Sequence, residues 1–456
     1  SHSPGERVLV KIVRLAKSPI EFVRAFLQTA QDSDDASVNF FLGAIYSNGM
    51  GVAAPKDSRE SLVWYRKAAE LAHPAAMRML GTAYANGTDI GKDNNEAVKW
   101  FRKAAEKGYA SAMSFLGTMY ARGAGVTKDS FEATSWYRKA ADKGETGAMY
   151  NLGERYQTGN GVAKDSKQAL KWFGKAADAY HSGAMVWLGY IYETGEQKDF
   201  STAVSWYRRA SDLGNFSSMY RLGNMYNKGQ GVGKDKAEAH KLYRMAADKG
   251  HIEATNALGL AYANGDGVAK DQAQAVNWFR KAADKGNDYA MANIGLLYER
   301  GKGVRKDMTE AKAWYEKAAA KGNAWAMVQI SILHDEGRGV DKNPRLAAQH
   351  LLKAYSQGYD TARKALFRES KKWNRNTRRA IQEELRDAGV YSGSIDGQLG
   401  PSTRRAMEAY KAKAVAAKAK ADEQTAAAAA EKSESGSSGV TSSPATPPSD
   451  DFGDLK

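Results

Sequence analysis

Residues 112–144 read AMSFLGTMYARGAGVTKDSFEATSWYRKAADKG, and the same grammar returns about every 36 residues, nine times, from about Ala36 to Gly358. Its first half recurs as Leu80-Gly81…Tyr84, Leu116-Gly117…Tyr120, Leu152-Gly153…Tyr156, Leu188-Gly189…Tyr192, Leu222-Gly223…Tyr226 and Leu258-Gly259…Tyr262. Its second half recurs as an Asp followed by an aromatic pair: Asp57 with Trp64-Tyr65, Asp93 with Trp100-Phe101, Asp129 with Trp136-Tyr137, Asp165 with Trp172-Phe173, Asp271 with Trp278-Phe279 and Asp307 with Trp314-Tyr315. A fixed period of this length is the signature of an array whose units stack on their neighbours.

Within the quoted stretch Ala112, Leu116 and Tyr120 fall every four residues, so one apolar stripe runs along a first helix and Gly117 lets a neighbour approach closely. Gly123 ends that helix. Asp129 and Glu132 then spell a capping box for a second helix, and the same Asp-x-x-Glu/Gln pair stands at 57/60, 93/96, 165/168, 235/238, 271/274 and 307/310. Ala133, Trp136, Tyr137, Ala140 and Ala141 point inward, and Gly144 closes the unit. The seven tryptophans at the second-helix position are assigned to the core. One pair of helices cannot bury such stripes alone, so the expectation is an all-α stack of about nine helix-turn-helix units. The fifth unit is unusual: two residues are missing between Gly195 and Lys198, giving a 34-residue step, and Trp187 stands outside the consensus.

The pattern A-x-x-x-L-G-x-x-Y-x-x-G-x-G-V-x-K-D-x-x-x-A-x-x-W-Y-x-x-A-A-x-x-G resembles the Sel1-like repeat, a relative of the tetratricopeptide repeat. The resemblance implies a right-handed α-solenoid used as an adaptor or scaffold, often in bacterial envelope and signalling proteins, and implies no catalytic residues. A partner then needs a surface. Positions two and six residues after the leading Ala of each first helix form an i, i+4 stripe that the core pattern leaves free. The stripe reads Ser114/Thr118, Tyr150/Glu154, Val186/Tyr190 and Tyr220/Asn224, with Lys228 a turn further on. Aromatic and polar groups together suit peptide recognition, which makes Tyr150, Glu154, Trp187, Tyr190, Tyr220, Asn224 and Lys228 the candidate protein-binding residues.

The net charge of +15 is uneven. Between Arg363 and Lys420 fifteen Lys or Arg stand against six Asp or Glu, a surplus of nine, so partners of that stretch are expected to be anionic. It holds a second signature: Ala380-Ile381-Gln382, Leu385, Gly389-Val390-Tyr391, Gly393, Ile395-Asp396-Gly397, Gly400-Pro401, Thr403, Ala406 and Tyr410. A helix bearing Ile381 and Leu385 ends at Gly389, a tight turn follows at Gly397, and Pro401 opens the next helix. This order resembles the small helical peptidoglycan-binding domain, with Tyr410-Lys411 in place of the usual aromatic-Gln ending. The resemblance implies peptidoglycan as a ligand. Tyr391 and Asp396 of the motif, with Arg386, Arg404 and Arg405 supplying charge, are the candidate peptidoglycan-binding residues.

Other chemistries find little support. Cysteine is absent, which removes disulfides and thiolate metal sites. The seven histidines are taken to sit in different repeat registers without metal spacing, and Gly-x-Gly follows helices rather than strands, so it marks a helix stop and not a nucleotide cradle. No cofactor, no metal, no nucleic-acid motif and no membrane-spanning segment is expected. The resulting division is 1–35 as N-terminal capping helices, 36–360 as the repeat solenoid, 361–412 as the peptidoglycan-binding-like domain, and 413–456 as an Ala/Lys-rich stretch with a disordered tail. The functional expectation is a non-enzymatic scaffold of the periplasm or cell envelope. A cytoplasmic signalling adaptor, or the non-catalytic repeats of a larger enzyme, is the alternative.

Overall fold

The computed structural model describes residues 33–49, 56–196 and 198–434, together with Leu27 and Ala30. The expected capping helices between Glu6 and Gln31 otherwise lie outside the described residues, as does the tail from Ser435. Among the described residues there are 21 α-helices and no strand, and they build a helical solenoid of repeats. The first-helix and second-helix pairs are α1 Ala36–Asn48 and α2 Ser58–Glu70, α3 Pro74–Asn86 and α4 Asn94–Glu106, α5 Ala110–Arg122 and α6 Ser130–Asp142, and α7 Thr146–Thr158 and α8 Ser166–Asp178. They continue as α9 Ser182–Thr194 and α10 Phe200–Asp212, α11 Phe216–Lys228 and α12 Lys236–Asp248, α13 Ile252–Asn264 and α14 Gln272–Asp284, α15 Asp288–Arg300 and α16 Met308–Ala320, and α17 Ala324–Glu336 and α18 Pro344–Ser356. Then come α19 Asp360–Phe367, a 3-10 turn at Ser370–Lys372, α20 Arg375–Asp387 and α21 Pro401–Glu434. The chain forms two compact units that divide between Leu188 and Gly189.

The repeat is held by a small set of contacts. In the first unit Gly153 sits under the ring of Phe173, where an added Cβ would lie 2.7 Å from ring carbons. In the second unit Gly259 relates to Phe279 in the same way, at 2.5 Å. Only glycine allows this approach of first helix to second. The second helices start as the sequence implies: Asp129 Oδ1 accepts the Phe131 and Glu132 backbone N–H groups at 2.8 and 2.9 Å. The capping box, however, is half made. The Asp129 N–H donates to the carbonyl of Tyr120 at 3.0 Å, and Asp57, Asp93, Asp165, Asp235, Asp271 and Asp307 make the same bond to the repeat tyrosine before them. The backbone carbonyl of the Leu-Gly-x-x-Tyr motif therefore accepts the N–H that a capping glutamate would otherwise accept, and ties one helix to the next. Glu60 accepts the Trp64 indole N–H instead, at 2.8 Å.

The aromatic pair also divides its labour differently from the expectation. Phe101, Phe173, Tyr207, Phe279 and Tyr315 are completely buried, whereas Trp100, Trp136, Trp206 and Trp314 are only half-buried. Trp64, Trp172 and Trp278 are buried in the core as expected, and all seven tryptophans lie beneath a Lys or Arg one turn on, at 4.0 to 4.4 Å from the ring centre. For four of the buried rings, a first helix supplies the tyrosine hydroxyl with a polar partner: Thr118 for Tyr137, Glu193 for Tyr207, Asn224 for Tyr243 and Glu299 for Tyr315, at 2.6 to 3.0 Å. A buried hydroxyl needs such a partner.

In the second unit one continuous apolar core runs from Ala263 through Leu351, Leu352, Leu366 and Trp373 to Ile381, Leu385, Leu399 and Met407. The C-terminal helices thus close the end of the repeat stack. α20 lies along α18, and Arg345 of α18 reaches Glu384 at 2.8 Å and Asp387 at 3.2 Å. Asp335, buried at the end of α17, accepts the Asn374 backbone N–H at 3.1 Å, while the Asn374 side chain donates to the Asp335 carbonyl at 2.6 Å. α21 is a single helix of 34 residues that continues through the Ala/Lys-rich stretch.

Candidate functional site

The expected partner stripe is present as a column but is largely covered. In the first unit Tyr150 and Trp187 are 4% and 7% exposed. The Trp187 indole N–H donates to the Tyr150 hydroxyl at 3.2 Å, and that hydroxyl donates to half-buried Glu154 at 2.9 Å. Burial pushes the Glu154 carboxyl above its ordinary value, with the Tyr150 hydroxyl acting against it. The Tyr150 ring stacks on His181 at 4.5 Å between centres. These residues form an internal network rather than an open surface. The i, i+4 argument fails here because it treats one first helix alone, whereas residues of the next repeat lie over it.

The second unit holds the rest of the stripe. Tyr220 and Asn224 are 5% and 4% exposed, with Asn224 accepting the Tyr243 hydroxyl at 2.7 Å. Tyr190 is half-buried beneath the Arg221 guanidinium, 5.0 Å from its ring centre, and Lys228 is exposed. Arg221 is itself buried and lies 3.6 Å from Glu193, the acceptor of the Tyr207 hydroxyl. This buried triad joins three helices of the shortened fifth repeat and its successor, and single-helix periodicity gives no hint of it.

The histidines need correction as well. His73, His181 and His251 share one register, the N-cap of a first helix, where Nδ1 accepts the N–H of Ala76, Ala184 and Ala254 at 3.3, 3.1 and 3.2 Å. The 34-residue step hides the common spacing of the last two. Asn215, Asn287 and Asn323 cap other first helices from the same register. Burial lowers the pKa of all three imidazoles, consistent with a neutral acceptor nitrogen.

The C-terminal loop between α20 and α21 is organised by one side chain. Gln382, completely buried, accepts the Gly397 N–H at 2.7 Å through Oε1. Its Nε2 donates to Asp396 Oδ1 at 2.9 Å and to the Gln398 carbonyl at 3.1 Å, and approaches the hydroxyls of Tyr391 and Thr403 at 3.4 Å. The Gln382 amide holds the Asp396 carboxyl below the ordinary carboxylate value. Tyr391 donates onward to the Ser394 carbonyl at 2.9 Å. Tyr391 and Asp396 are thus brought together, by a residue quoted above only as part of the motif. Arg404 turns elsewhere: it donates to the Phe367 carbonyl at 3.0 Å and lies over the Phe367 ring at 5.7 Å, with Arg363 also over that ring at 6.0 Å. Arg386, in the last turn of α20, and Arg405, in the first turn of α21, are exposed.

Nine consecutive segments match the Sel1 repeat: 36–73, 74–109, 110–145, 146–181, 182–215, 217–251, 252–287, 288–323 and 326–359. The chain belongs to the Sel1 repeat family. A peptidoglycan binding domain is matched at residues 374–428. Among solved structures, a protective antigen present in uropathogenic Escherichia coli strains, displaying an SLR fold, is 26% identical. The match covers 96% of each chain with a TM-score of 0.66. A Sel1 repeat protein from Oxalobacter formigenes is 37% identical, covering 53% of this chain and 98% of its own, with a TM-score of 0.49. A search of curated proteins finds no match. No helix among the described residues is long and apolar enough to cross a membrane.

Proposed function

We propose that this Sel1 repeat protein is a non-enzymatic scaffold of the bacterial cell envelope, which holds peptidoglycan through its C-terminal domain and a protein partner through its repeats. The observation that carries the reading is the joining of the two modules. α20 of the peptidoglycan-binding domain packs along α18 of the last repeat and shares its core, so a ligand held by the domain is held at a fixed position relative to the repeats of that unit. The loop set by Gln382 is hydrogen-bonded from within, so Tyr391 and Asp396 shape the ligand surface while exposed Arg386 and Arg405 meet anionic groups. Arg404 orients its guanidinium from the Phe367 carbonyl. On the repeats, Tyr190 and Lys228 remain accessible to a partner, and Tyr150, Glu154, Trp187, Tyr220 and Asn224 fix the shape beneath. The match to a peptidoglycan binding domain at residues 374–428 supports an envelope location.

Titration calorimetry of the full chain with soluble disaccharide-peptide fragments of peptidoglycan tests the reading. Saturable heat that is reduced in Arg386→Ser/Arg405→Ser is expected. Absence of saturable heat overturns it.

A further inference from the structure

The loops that join first to second helix pack onto the preceding repeat, and their charges are matched at one junction and unmatched at the next. At the α13–α14 loop, Gly267 lies against residue 236, and Asp266 beside it pairs with the Lys236 ammonium. One repeat later Gly303 lies against Gln272, and the neighbouring loop position is Lys302 instead of an acid. After one more repeat Gly339 lies against Met308, with Arg338 beside it. The Lys302 loop therefore brings a cation to a position where the preceding repeat offers no carboxylate, whereas Arg338 finds Glu299 there.

Between these loops is a cleft of about 510 Å³ whose lining includes Glu299 and Arg300 at the end of α15, Lys302 and Lys306 of the first loop, Arg338 of the second, and Met308. Arg338 is spoken for, at 3.1 Å from Glu299 and 2.6 Å from Glu336. Glu299 is likewise satisfied, since it also accepts the Tyr315 hydroxyl at 2.7 Å. Arg300, Lys302 and Lys306 are exposed, and none of them has a carboxylate within 4.0 Å among the described residues. Lys306 recurs in other repeats as Lys128, Lys164, Lys234 and Lys270, but cations at 300 and 302 together, followed by a third at 338, occur only in this loop pair.

We propose that this cleft is a docking site for an acidic peptide segment of a partner protein. The cations are distributed along the loops instead of converging on one point, and Met308 adds an apolar surface among them. Carboxylates spaced along an extended chain meet such an array one by one, with an apolar side chain placed against the thioether. The inference rests on the reading of the repeats as a protein-binding scaffold and names the chemistry of what they hold.

The test is fluorescence anisotropy of a labelled Glu-Glu-Leu-Glu-Glu peptide titrated with the full chain. Saturable binding is expected, weakening as salt rises and falling about tenfold or more in Arg300→Ser/Lys302→Ser. Lys302→Asp, which gives this loop the residue of the preceding one, is a second variant that removes the same charge. A control, Lys107→Ser/Lys143→Ser, loses the same number of exposed charges elsewhere and is expected to bind normally. Equal loss in the control overturns the proposal in favour of diffuse attraction. Unchanged binding in both cleft variants overturns it outright, and so does displacement of the peptide by inorganic pyrophosphate at far lower concentration than by unlabelled peptide. No peptidoglycan enters this measurement, so its failure is distinguishable from failure of the envelope-anchor reading.

Discussion

Gln382 shows at the scale of one residue how a motif becomes a site. Its amide joins Asp396, Gly397 and Gln398 and approaches Tyr391 and Thr403. Gln382→Ala should cost roughly 2–3 kcal/mol, because the Gly397 N–H is left unpaired in a buried place; denaturant unfolding reads this, and an unchanged midpoint would refute the network. The order of the motif residues was legible in the sequence, but their convergence on one amide was not, since spacing along a chain says nothing about which side chains meet. Tyr150 and Tyr220 teach the same lesson from the opposite side: their column was legible, their burial was not. Replacing either by Ala should therefore cost about 3 kcal/mol or more as a core deletion, measurable as an early melt. The capping histidines give a pH dependence. Burial lowers the pKa of His73, His181 and His251, so the unfolded chain takes up protons first, and the stability these residues contribute is present above about pH 6.5 and lost as pH falls toward their folded values. Glu253, 3.2 Å from His251, opposes that shift and Arg221 reinforces it. Thermal melts between pH 7.5 and 5 should show a fall that is smaller in the triple His→Asn variant, which borrows the cap of Asn215, Asn287 and Asn323. Equal falls in the two proteins would remove the histidines from the explanation.

At the scale of the helix pair, nearly everything was legible: the helices, their caps at Asp, their stops at Gly and the close approach at Leu-Gly. Two details were not, because both depend on what the opposite helix offers. The aspartate N–H goes to the tyrosine carbonyl, so Asp129→Ala should cost ~1 kcal/mol as a lost cap whereas Glu132→Ala should stay within ~0.5 kcal/mol. A reciprocal box would make the two losses comparable in chemical denaturation. Likewise the ring after each tryptophan is the more deeply buried of the pair. Phe173→Ala is expected to cost ~3–5 kcal/mol, clearly more than Trp136→Ala, whose ring is half-buried under Lys139. The sequence names both aromatics as inward, but an inward arc on a helix does not say which of two neighbours lies at its centre.

For the whole molecule, two families of motif were legible in order along the chain, yet their packing into a common core was not. No periodicity predicts that Arg345 meets Glu384 and Asp387, or that Asn374 exchanges hydrogen bonds with Asp335. A chain ending at Gly358 would uncover Leu351, Leu352 and Ala348, so it should show faster amide exchange in α17 and α18 than the full chain; equal protection would mean that the C-terminal helices do not close the stack. For this reason the function is best tested with point variants rather than truncations. The most direct measurement is co-sedimentation of the full chain with purified sacculi across a salt series, beside Arg386→Ser/Arg405→Ser. The full chain should pellet with the sacculi, less so as salt rises, and the variant should remain largely in the supernatant while melting normally. A full chain that stays in the supernatant at low salt, or a variant that pellets as the full chain does, would contradict the account.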